Sequence, residues 1–222
     1  MNEALPPDPP GGIAGALGTL RHALADPLSA AGVKLELLER RLAAAPSDAG
    51  ALAERVRGVR ADLAAAGRLI DLLPRLAAVA GEAAVETSLG DLCRVAGIPV
   101  EGAPAFEPRL VLRRLATIDA LRILVWFLRS RDPAGTPPLL YDDSAPGRLA
   151  LRIEAPGGGG EENPERLFHL PRGQERAGDL FVARAGIESD GGRLQLVERE
   201  ERLVALVSWP APAPAGEEGA AS

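Results

Sequence analysis

Two histidines, His22 and His169, one lysine, Lys34, and one cysteine, Cys93, are the candidates in these 222 residues for an imidazole, amine or thiolate nucleophile. His22 stands in Arg21-His22-Ala23-Leu24-Ala25-Asp26-Pro27-Leu28, inside a stretch with apolar residues at helical spacing. An imidazole titrates near neutrality and can act as nucleophile or proton carrier there. A proline five residues on costs a helix ~3 kcal/mol or more, and it is expected to kink the helix and free carbonyls beside His22. On spacing alone, a surface histidine next to an incidental proline is the more common arrangement. His169, in Leu167-Phe168-His169-Leu170-Pro171, is expected to be structural. Cys93 reads as a small core residue of a short helix, and Lys34 as a solvated helix position.

The elements that hold these residues follow from pattern. From about Ile13 to Ala80, Leu28, Ala31, Leu35, Leu38 and Leu42 alternate at 3-4 spacing. So do Leu52, Val56, Val59, Leu63, Ala66, Ile70 and Leu73. That is a heptad seam on each of two helices. The connection Ala45 to Gly50 is short, with Ser47 or Asp48 as N-cap, so the helices must run antiparallel. A lone hairpin covers one face of each helix, and pairing two hairpins into a four-helix bundle covers the rest. The alternative is a monomeric hairpin packed on the remaining chain.

From about Val85 the texture is mixed. Ser88 is expected to cap a helix from Leu89 to Ala96, and Glu107 to Arg131 reads as a longer helix. Pro137 to Tyr141, Arg148 to Ala155, Arg193 to Arg199 and Arg202 to Trp209 read as strands, with Glu200-Glu201 as a tight turn. Arg176 to Ser189 reads as a helix stopped at Asp190-Gly191-Gly192. The expected fold is therefore a helical hairpin followed by an α+β sandwich, with helices on one face of a mixed sheet. Its division is 1–12 disordered tail, 13–82 hairpin, 85–209 sandwich and 210–222 disordered tail.

Composition excludes much. With 46% hydrophobic and 25% charged residues the chain can bury a core. No apolar run reaches the ~18–20 residues of a membrane span, and the acidic, proline-rich start does not read as a signal peptide. One cysteine rules out a disulfide framework or a cysteine zinc site. A net charge of −6 argues against nucleic acid as the main partner.

His22-Ala23-Leu24-Ala25-Asp26-Pro27-Leu28 resembles the H-box (H-E-x-x-N/T-P-L) of the dimerisation and phosphotransfer domain of two-component sensor histidine kinases. The likeness continues in order over roughly residues 13–210. A hairpin follows, then the capped helix around Leu89-Gly90-Asp91-Leu92, similar to the start of a GHKL (Bergerat-like) ATPase domain. Leu121-Arg122-Ile123-Leu124 stands where the N-box helix begins, and Ala183 to Leu194 resembles the family's helix-Gly-Gly-strand ending. The resemblance is closest in kind to dimeric histidine phosphotransferases.

The departures carry the functional expectation. The N-box asparagines that hold magnesium in the family correspond to Phe127 and Arg131. The adenine-binding aspartate corresponds to Ala155, and Glu154 could replace it only by a one-residue slip that turns it to the other strand face. Gly157 to Gly160 follow no phosphate-loop pattern and read as a flexible loop. The second glycine box appears as Ala177-Gly178-Asp179-Leu180, where an acid would repel triphosphate. In the H-box, Ala23 replaces the acid that assists the imidazole, and Asp26 the residue implicated in phosphatase action.

Phosphoryl transfer from ATP needs metal clamping and positive charge, so ATP binding and autokinase activity are not expected. Exchange with a phospho-aspartate needs only an exposed His22, with Arg21 available to offset charge, Asp26 nearby and Pro27 at the kink. The resemblance thus implies a cytoplasmic phosphorelay protein and homodimer. It would bind no cofactor of its own, with magnesium on the receiver. His22 would pass a phosphoryl group between the receiver of an upstream hybrid kinase and a response regulator. Arg55, Arg57, Arg60 and Arg68 read as a solvated face, with receiver docking as the functional alternative. Two other readings stand beside this one: a non-catalytic pseudokinase scaffold or inhibitor, and a divergent active kinase.

Overall fold

The structure, a computed structural model, describes residues 12–44, 49–98, 109–131, 139–144, 148–158, 164–168, 170, 177–200 and 202–211. The expected terminal tails, the caps Ser47 and Asp48, and His169 lie outside the described residues.

Helix α1 (Gly12–Ala44) runs through Pro27 and packs along α2 (Ala49–Ile70). Where a second helix continuing to Ala80 was expected, the chain breaks at Asp71-Leu72 and restarts as α3 (Leu73–Gly81). The cause is Pro74, which has no N–H to give and is tolerated only in a first helical turn.

The heptad seam is covered only in part. Ala31, Val59 and Ala66 are buried and Leu38 and Leu52 half-buried, whereas Leu28, Leu35, Leu42, Val56, Leu63, Ile70 and Leu73 are 39–49% exposed. Within one chain the hairpin leaves most of the seam's large residues outside. Lys34 is not the solvated position expected, for its Nζ donates to Asp62 Oδ2 of α2 at 2.6 Å. Gly58 lies beside it, and a Cβ there would be in ordinary contact, 3.6 Å from that nitrogen.

Strand β1 (Val85–Ser88) leads into α4 (Leu89–Ala96), which the Ser88 hydroxyl caps by accepting from Asp91 N at 3.1 Å. Gly97, at φ +73°, closes its other end. The stretch Glu107 to Arg131, expected as one helix, is not helical at Arg109–Leu112. Arg109–Leu112 is strand β2, antiparallel to β1, and α5 (Arg114–Arg131) follows. Leu110 and Leu112 are buried while Arg109 and Val111 are exposed, a period of two that favours a strand. The Glu82 carboxylate caps α5, accepting from Leu115 N and Ala116 N at 2.6 and 2.8 Å.

The main sheet holds β3 (Leu139–Asp142), β4 (Arg148–Gly158), β5 (Arg193–Arg199) and β6 (Arg202–Pro210) in the order β3-β4-β6-β5. Every pairing is antiparallel, which corrects the expectation of a mixed sheet. The loop expected over Gly157 to Gly160 is corrected at its start: Gly157 and Gly158 belong to β4, and Gly158 pairs with Arg202 beyond a bulge, while Gly159 and Gly160 lie outside the described residues. The β5–β6 turn is tight as expected, with Glu200 at φ +50°. A 3₁₀ turn (Pro164–Phe168) and α6 (Ala177–Glu188) complete the chain.

Two cores result. The larger sets one face of the sheet, including Ile153, Leu196, Ala205 and Trp209, against α4, α5 and α6. The smaller joins Ala16 and Leu20 of α1, Leu72 and Leu76, and Phe181, Val182 and Ala185 of α6. Among the described residues no helix is long and apolar enough to cross a membrane.

Cys93 lies in the larger core, and burial pushes its thiol up to about 11 from an ordinary 9. The unfolded thiol ionises first, so this burial costs nothing below pH 9 and destabilises the fold as pH rises from 9 towards 11. A disulfide reagent at pH 8 is accordingly expected to titrate no thiol in the native protein and one per chain in denaturant.

Candidate functional site

The smaller core sets the surroundings of His22 because it lays α1 against α6. Between them runs a groove of about 650 Å³. On α1 its wall includes Thr19, His22, Ala23 and Asp26, which fall together by the i, i+3, i+4 rule. The other wall is Phe168, Leu170, Phe181, Arg184, Ala185 and Glu188. His22 is exposed at this groove. Pro27 is buried, and having no N–H it cannot bond the carbonyl of Ala23 one turn back. Arg21 is exposed and is not a wall residue, since a step of about 100° turns it away from His22. The structure therefore brings His22 and Asp26 together and leaves Arg21 outside.

The cation on the wall of the same groove is instead Arg184. Its Nε donates to Glu188 Oε1 and its Nη1 to Glu165 Oε2, both at 2.8 Å, and its guanidinium lies 4.4 Å from the Phe168 ring centroid. Burial works against its charge, but the two carboxylates prevail and raise its pKa above the ordinary value. Arg184 and Glu188 have the i, i+4 spacing of a helical ion pair, a signal legible in sequence. Their approach to α1 is not.

Further along the His22 face of α1, Val33 and Leu37 are 58% and 47% exposed. At about 100° per residue, Val33 falls about 20° and Leu37 about 60° round the helix from His22. The Leu28–Leu35 strip falls about 120–140° away from it. Arg57, Arg60 and Arg68 are exposed on α2, and Arg55 is half-buried.

The nucleotide-box positions have other surroundings. Phe127 is a core residue with the Arg131 guanidinium 5.2 Å from its ring centroid, and a phenyl ring has no metal-ligating atom. Ala155 is fully buried in the same core. Glu154 lies on the opposite face of β4, paired with Arg152 and, at 3.9 Å, with Arg202. Asp179 bonds Arg75 of α3 at 2.6 Å.

No family model and no curated protein sequence matches the chain. Among solved structures it is similar to the histidine kinase AdeS of Acinetobacter baumannii, at 14% identity and TM-score 0.47 over 86% of this chain and 98% of that one. It is similar to a bacterial phosphotransferase at 16% identity and TM-score 0.38, over 88% and 95%. It is also similar to the catalytic domain of the histidine kinase ThkA, at 17% identity and TM-score 0.44, over 58% and 95%.

Proposed function

We propose that this chain is a histidine phosphotransfer protein of a two-component relay. The observation that carries the reading is the contrast between two sets of residues. His22 is presented on a helix at an open groove, while the residues at the metal and adenine positions, Phe127 and Ala155, are packed in the hydrophobic core. In the reaction, a neutral nitrogen of His22 attacks the phosphorus of an aspartyl phosphate in line. The N–P bond forms as the P–O bond to the aspartate breaks, and the carboxylate leaves. Transfer to a second receiver reverses the step. The chain holds no metal in this scheme, and the receiver brings the magnesium that neutralises the phosphoryl oxygens. Val33 and Leu37 offer the receiver an apolar footing below His22, with Arg57, Arg60 and Arg68 as further docking cations. Such a protein works in the cytoplasm, where its receivers are.

The same reading makes the chain a homodimer. Leu28, Leu35 and Leu42 of α1 and Val56, Leu63 and Ile70 of α2 recur every seven residues, and in an antiparallel pair both strips face the same side. Joining two such faces gives a four-helix bundle. The double variant Leu35→Glu, Leu63→Glu is expected to run as a folded monomer by light scattering while the wild type runs at twice the chain mass.

The functional test mixes the protein with a ³²P-labelled phospho-receiver and, separately, with labelled ATP and magnesium. Acid-labile label arriving from the receiver alone is the expected result. Label taken from ATP alone overturns the phosphotransfer-only reading in favour of an active kinase. Label from neither source leaves the scaffold reading in its place.

A further inference from the structure

The groove beside His22 has one wall on α1 and the other on α6, so it exists only while those two helices are docked. What holds them is small. Seven buried side chains make up the core between α1, α3 and α6, with Leu24, Leu69 and Leu170 partly buried against it. A polar contact between α3 and α6 adds to it. Arg75 Nη1 of α3 donates to Asp179 Oδ1 in the first turn of α6 at 2.6 Å, across 104 residues of sequence. Both side chains are a little over a third exposed. Immediately beside it, α6 rests on Leu72 through a residue without a side chain. A Cβ on Gly178 would lie 2.9 Å from Leu72 Cδ2.

We propose that the Arg75–Asp179 pair, seated on the Leu72–Gly178 contact, is a latch that positions α6 beside His22 and so shapes the surface a phosphorylated partner must fit. Arg75 and Asp179 are positioning residues, neither of them on the groove wall. The latch stands on geometry alone, and its effect on transfer rests on the phosphotransfer reading above. Because the pair is part-exposed, its contribution is modest and shows in partner affinity before it shows in folding.

The test uses the whole 222-residue chain in four forms: wild type, Arg75→Asp, Asp179→Arg, and the swap carrying both. Amide exchange of segments 69–81 and 177–188 reports the latch directly. It is expected to quicken in each single variant and to return in the swap. Transfer from a phospho-receiver is expected to show KM raised about three- to fivefold in the single variants, kcat held, and both restored in the swap. Gly178→Val, which forces α6 off Leu72, is expected to exceed either single variant in exchange and in KM. Unchanged exchange in the single variants overturns the latch. Quickened exchange with unchanged KM overturns its positioning role. If even the wild type takes no phosphate, the phosphotransfer reading falls and the positioning role with it, and the exchange result still decides the latch.

Discussion

Replacing His22 with glutamine is expected to abolish phosphoryl uptake from a phosphorylated receiver, by a factor of ~10³ or more, with the fold untouched. Loss of a covalent nucleophile has effects of that order, because the remaining binding surface can hold the acyl phosphate but cannot accept its phosphorus. Glutamine keeps much of the volume and polarity of the imidazole, and its amide nitrogen has no available lone pair. His22 is exposed, so the substitution empties no core space, and a thermal midpoint within about 1 °C of wild type is expected. The measurement is label retained on the protein after mixing with phospho-receiver, followed beside receiver binding. Binding kept and label lost is the predicted pair of results. Label kept by His22→Gln would place the acceptor elsewhere and end the case for His22.

The largest structural effect is expected at Gly192. After α6 the chain turns through Gly191, at φ +72°, and Gly192 N donates to Ile187 O at 3.1 Å before β5 begins. A Cβ on Gly192 would sit 2.6 Å from Trp209 Nε1, 2.7 Å from Ile187 O and 2.8 Å from Ile187 Cγ2. None of the three can yield by a side-chain rotation at the surface. Trp209 and Ile187 are core residues, and the oxygen is helix backbone. Gly192→Ala must therefore prise β5 from α6 or push the indole out of the core, at ~3 kcal/mol or more. Gly191→Ala is the control. Nothing lies within 4 Å of its Cβ position, so only the left-handed backbone resists, at about 1–2 kcal/mol. Urea unfolding followed by tryptophan emission ranks the two. A Gly191 variant as damaging as the Gly192 variant would mean that dihedral strain, rather than crowding, governs this turn.

Much of the fold was legible where local chemistry decides the outcome. Ser88 announces α4, Gly191-Gly192 ends α6, and the alternation in Leu194 to Glu198 forms a strand at the expected bounds. Local rules failed where a distant partner settles the matter. Arg109–Leu112 is too short for its period of two to outweigh the apolar helix after it, and β1 is what makes it a strand. Pro74 marks a break by residue type, but the heptad running up to Leu73, the residue just before it, hid the stop. Lys34 looked solvated because Asp62, 28 residues on, is opposite it only once the hairpin closes.

The candidate site divides in the same way. His22 with Asp26 follows from spacing on one helix. The second wall, with Arg184 and Glu188, and the Arg75–Asp179 contact depend on α6 docking against α1 and α3. No periodicity in either segment encodes that. The departures from nucleotide boxes rest on the resemblance and on residue type, and the register of β4 adds that Glu154 lies on the face opposite Ala155, paired with arginines.

Were the dimer proposed above to form, the turn of about 120–140° between His22 and the leucine strip would aim the two imidazoles outward from opposite flanks, with neither helix pair between a histidine and solvent, and so set the valence of the assembly. Two receivers can then be engaged at once, one per chain, so each acceptor loads and discharges on its own clock. A mixed dimer with one His22→Gln chain would carry half the phosphate at an unaltered rate per site.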